Sequence, residues 1–119
     1  MLKEEQVARL ETLSRMCAAT HTPEDVWTHL EEEMIELLLA IKRVQRRRAF
    51  FPEVLEELID SMIEINTVLT QLNMPDAVRA MVDAKLNKFE AMLLEEDHRP
   101  KPINRYRPIP TVYGDSTQF

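Results

Sequence analysis

The chain has 119 residues, enough for one domain, with one glycine, seven prolines and a formal net charge of -6. Leu, Met, Glu and Ala are plentiful, which favours helix over sheet. The acidic balance argues against nucleic acid or an anionic membrane as the main partner, and no apolar run is long enough to span a bilayer. Cys17 is the only cysteine, so no internal disulfide forms, and a reducing cytoplasm is the simplest setting. The opening "MLKEEQ" is charged and lacks the apolar stretch of a secretory leader.

Prolines set the layout. Pro23, Pro52 and Pro75 each follow a helix end and each suits the first turn of the next helix. The spacing predicts an all-α fold with helices over about 2–20, 23–48, 52–73 and 75–97. In "HTPEDV", Thr22 reads as a cap, Pro23 as the first helical residue, and Glu24 and Asp25 as acids on the positive helix end.

The second helix is apolar around most of its circumference. At about 100° per residue, Val26, Leu30, Met34, Leu37, Leu38, Ile41 and Val44 share one broad face, and Ile35 and Leu39 lie on the far side. One narrow wedge stays polar: Asp25, His29, Glu32, Glu33, Glu36 and Arg43, with Ala40 among them. Trp27 reads as a core residue, and His29 suits equally a place behind the acids or a solvent-facing one. The basic run "KRVQRRR" (42–48) suits a helix C-terminus.

The third helix repeats the pattern. Val54, Leu55, Leu58, Ile59, Met62, Ile63, Ile65, Leu69 and Leu72 cover a broad face, and Glu53, Glu57, Asp60 and Glu64 share a narrow wedge. Glu33/Glu36 and Glu57/Asp60 are both i, i+3 pairs, so each pair points one way. A short connection makes the helices an antiparallel hairpin, which brings the wedges within reach of each other. Four converging carboxylates repel, and a hard divalent cation such as Mg²⁺ relieves the repulsion through oxygen ligands. Ordinary solvated helix faces are the competing explanation, since a lone ExxE is common in acidic helical proteins.

The fourth helix, "PDAVRAMVDAKLNKFEAMLLEE", carries Lys85 and Lys88. The single ExxH, "EEDH" (95–98), does not make the paired motif of a di-iron bundle. Residues 1–98 therefore read as the all-α domain, and 99–119 as a Pro-rich tail, extended or disordered. Four cations against Asp115 leave that tail basic and residues 1–98 strongly acidic.

Together "EEMIEL" (32–37), "EELID" (56–60), the gap between them and the downstream lysine helix resemble the MazG-like, all-α nucleoside triphosphate pyrophosphatases, over roughly residues 24–93. The resemblance implies a four-helix bundle and Mg²⁺-dependent hydrolysis of a (d)NTP to a (d)NMP and pyrophosphate in nucleotide-pool control, with Mn²⁺ as a possible substitute metal. It implies Glu33, Glu36, Glu57 and Asp60 as metal ligands, Glu32 as base or water positioner, and Lys85 and Lys88 as phosphate contacts. Met92 stands where that family carries an arginine. Helices apolar on several sides need cover beyond one hairpin, so a homodimer or homotetramer is expected. The rival expectation is a helical protein-interaction module on the same fold that has lost catalysis.

Overall fold

A computed structural model describes residues 1–46 and 51–96. Among these residues there are four helices and no strand: α1 (Glu4–Thr20), α2 (Pro23–Gln45), α3 (Phe51–Leu72) and α4 (Pro75–Glu96). No helix of the described residues is long and apolar enough to cross a membrane. The expected tail, 99–119, lies outside the described residues, as do Arg47 and Arg48 of the basic run.

Local chemistry accounts for the helix ends. At the start of α1 the Lys3 backbone N–H donates to Gln6 Oε1 at 2.9 Å. Thr22 caps α2: its Oγ1 accepts from the Asp25 backbone N–H at 3.2 Å, and Pro23 follows in the first turn, where its missing N–H costs nothing. α2 ends at Gln45, earlier than the basic run suggests, with the Arg46 N–H returning to the Lys42 carbonyl. α3 ends at Leu72, and Asn73 after it takes a positive φ of 52°. Asparagine tolerates that left-handed conformation, and Pro75 then opens α4.

The chain divides into two compact units. One holds α1, α2 and α3; the other holds α4. In the first, α3 is central and packs on both α1 and α2. Asn66 Nδ2 donates to Ser14 Oγ at 2.8 Å, and Gln71 Nε2 donates to the Ala18 and His21 carbonyls, tying α3 to α1 and to the turn after it. Near the hairpin end, Ala40 and Val44 of α2 pack on Val54 of α3, with Ile41 beside them. Contact between the end of α2 and the start of α3 makes the pair antiparallel.

The structure of this hairpin corrects one expectation, the place of Trp27. Ala40, grouped by angle with the polar wedge, is buried at 4% exposure. On α3 the inward residues Val54, Glu57, Ser61, Glu64 and Val68 follow 3-4-3-4 spacing, the period of helix–helix seams. Glu33 of α2 and Glu57, Asp60 and Glu64 of α3 therefore turn towards the seam, with small apolar residues above and below, while Asp25, Glu32, Glu36, Arg43 and Glu53 of the same wedges are exposed. The larger apolar side chains lie outside it: Ile35, Leu38, Leu39 and Leu55 are about half exposed. Trp27, expected in the core, is 50% exposed, because it sits one position, about 100°, round the helix from buried Val26.

α4 is described by itself. Asp76 lies in its first turn with Arg79 Nη1 3.5 Å from Asp76 Oδ1. Leu86, Phe89 and Leu93 on it are exposed.

Candidate metal centre

The acids converge because the hairpin register is regular. Stepping back along α2 from Glu36 to Glu33 to His29 is matched by stepping forward along α3 from Glu57 to Asp60 to Glu64. Glu36 reaches Glu57 at one end, and His29 Nδ1 lies 2.8 Å from Glu64 Oε2 at the other. Between them Glu33 and Asp60 are electrostatically coupled.

Three of the four expected ligands meet. Glu33, Glu36 and Glu57 each offer one carboxylate oxygen, and these oxygens lie within 4.8 Å of one another. Glu36 is exposed, whereas Glu33 and Glu57 are half-buried. Asp60 is half-buried beside them and offers no oxygen inside that common radius. Its charge is nevertheless felt by Glu33 and by Glu57.

Electrostatics at the cluster are unfavourable without a cation. The Glu33 carboxyl is held above its ordinary value of 4.5, first by burial, then by Glu36 and Asp60; Glu64 adds to this and His29 opposes it. Glu57 is raised likewise, first by burial, then by Glu36, Asp60, Glu33 and Glu56. Oε2 of Glu33 and Oε2 of Glu57 are buried with no hydrogen-bond partner. Buried polar atoms are ordinarily satisfied, and an oxygen-only set of two orphaned carboxylate atoms plus an exposed third fits a hard divalent cation. The donor set lacks the thiolate or imidazole ligands that select zinc.

His29 stands beside the cluster with its side chain half exposed. Its Nε2 lies 3.1 Å from Glu33 Oε1 while its Nδ1 faces Glu64. Glu64 is buried at 5% exposure, an unusual place for an acid. Sequence reasoning placed both residues on the polar wedges without pairing them. The available signal was spacing: His29 is one turn before Glu33, and Glu64 one turn after Asp60.

His29 and Glu64 also form part of the wall of a cavity of about 650 Å³ between α1, α2 and α3. Its other walls are largely apolar, with Leu10 and Leu13 from α1 and Ile59 and Met62 from α3. That volume is in the range of small-molecule sites.

The remaining expected residues stand apart from this geometry. Glu32 is exposed on α2 and does not join the three converging acids. Lys85 and Lys88 are exposed on α4. Trp27 borders a separate shallow recess with Glu24, Leu30 and Met34. No family model, curated protein or solved structure matches the chain.

Proposed function

We propose that the protein is a Mg²⁺-dependent nucleoside triphosphate pyrophosphohydrolase that cleaves a (d)NTP to a (d)NMP and pyrophosphate. The observation that carries this reading is the meeting of Glu33, Glu36 and Glu57 across the α2–α3 seam, two of them with buried, unpartnered oxygens. A scaffold has no use for that arrangement, since repelling acids inside a helix seam oppose folding. When bound, Mg²⁺ supplies charge neutralisation for the triphosphate and acidifies an attacking water. Glu33, Glu36 and Glu57 would hold it, with Asp60 beside them, and Glu32 would orient or deprotonate the water. The adjacent apolar cavity takes the nucleoside, which puts the phosphates at the acids.

The working form is a cytoplasmic homodimer or homotetramer. Support comes from the half-exposed Ile35, Leu38 and Leu39 on α2, a density of apolar surface that monomers seldom leave open. The same surface supports the second reading, a catalytically inactive interaction module. Purified protein incubated with a nucleotide panel, with and without Mg²⁺, separates the two. Metal-dependent pyrophosphate release from at least one nucleotide is expected; absence of release from every nucleotide in Mg²⁺ and in Mn²⁺ would leave the interaction module.

A further inference from the structure

Glu64 is hard to explain as a packing residue. It is buried at 5% exposure, and a carboxylate there is costly where an apolar or amide side chain would not be. Its ion-pair partner among the described residues is His29, and the His29 side chain is 54% exposed, so it adds little to the core. The other carboxylate on His29 is Glu33. A buried acid thus holds a half-exposed imidazole whose remaining contact is an expected metal ligand.

The two oxygens of Glu33 are treated differently. Oε1 is 3.1 Å from His29 Nε2, and Oε2 is buried without a partner. Whether a proton sits on Nε2 or on Oε1, one hydrogen bond spans that gap. The imidazole therefore takes one oxygen and leaves the other.

We propose that Glu64, acting through His29, is the positioning group for Glu33. The buried carboxylate fixes the ring, the ring fixes Glu33 Oε1, and Oε2 is left free for a divalent cation shared with Glu36 and Glu57. The inference rests on the cation-binding reading above and names which of the chain's other residues set the geometry of that site. Hydrogen-bonding groups behind ligating carboxylates and imidazoles orient them in other metal centres, and loss of such a group weakens the metal about 10- to 100-fold.

The test is Mn²⁺ binding followed by electron paramagnetic resonance, without nucleotide, on the full chain. Wild type is compared with Glu64→Ala, Glu64→Gln, His29→Ala and the double alanine variant. Both single alanine variants are expected to bind Mn²⁺ about 10- to 100-fold more weakly. Glu64→Gln removes the same charge but keeps an oxygen acceptor for Nδ1–H, so it is expected to stay close to wild type. The double variant is expected to be no weaker than the weaker single one, because Glu64 acts through His29. Circular dichroism checks folding; His29 is half exposed, so His29→Ala carries the same expectation should Glu64→Ala not fold.

Wild-type affinity in His29→Ala, or a Glu64→Gln variant as weak as Glu64→Ala, would overturn the positioning role while leaving the metal centre standing. The first outcome removes the relay and the second reduces Glu64 to a charge. A wild-type protein that binds no Mn²⁺ would overturn the metal centre and the positioning role together.

Discussion

Glu57 concentrates the conflict between folding and binding. Its carboxyl is raised by burial first and by four neighbouring acids after that, and one oxygen has no partner. A raised carboxyl binds its proton more tightly in the folded chain than in the unfolded one. The folded state is then penalised once pH climbs past the ordinary value of 4.5 and the proton is lost. The metal-free melting temperature of wild type should therefore fall relative to that of Glu57→Gln as pH rises from about 4.5 to 7. Melts in EDTA across that range check the sign, and a wild-type curve that rises relative to the variant would contradict it. Mg²⁺ bound by the acids would reverse the penalty. At a hundredfold excess over its Kd it should stabilise wild type by about 2.7 kcal/mol. Glu36→Gln and Asp60→Asn should abolish pyrophosphate release, shrink the Mg²⁺ gain, and raise or leave unchanged the EDTA melting temperature. Normal hydrolysis by both variants, with no Mg²⁺ shift in wild type, would remove the site.

Helices set how well those residues meet. Ala40 is buried one turn beyond Glu36 and touches the α3 start through Val54. A larger side chain there has nowhere to go, so Ala40→Leu should cost about 1–3 kcal/mol in urea unfolding. By wedging α2 from α3 it should also weaken Mg²⁺ binding; unchanged affinity would mean that the acids do not depend on the seam. Thr22→Ala should cost about 1 kcal/mol through the lost cap, without touching metal affinity. These two residues mark what was readable in advance. Thr22 and Pro23 signal locally, since a cap depends only on the next three residues, and the i, i+3 acid pairs are local too. Trp27 was misplaced because angle along one helix does not say which side meets a neighbour. The pairing of His29 with Glu64 escaped for a related reason: it depends on the register of one helix against another, and hydrophobic patterning here runs round too much of each helix to specify it.

Across the molecule, α1, α2 and α3 bury few large side chains. Among the described residues the buried apolar ones are valines and one alanine, while Ile35, Leu38, Leu39 and Leu55 stay about half exposed. The protein should therefore run well above its chain mass of 14.0 kDa in light scattering at micromolar concentration. Leu38→Glu with Leu39→Glu should reduce that mass by placing charge on the open surface of α2. A monomer in wild type would show that this surface serves another purpose. Removal of residues 99–119 should leave helix content unchanged by circular dichroism, since the buried side chains among the described residues all lie in the helices.

The register of α2 against α3 makes counting as consequential as chemistry. An alanine inserted between Leu37 and Leu38 alters no functional side chain and breaks no helix rule. It adds about 100° of turn between the two halves of α2. Ala40 and Val44 keep their grip on Val54, while His29, Glu33 and Glu36 swing out of the seam together. The resulting protein keeps every acid and its helical spectrum but presents the acids to the wrong neighbour. A second insertion swings them further, and only after three or four, about one full turn, do they point at α3 again, now displaced by about 5 Å along it. Sequence length between Glu36 and Ala40 is thus a component of the site in its own right.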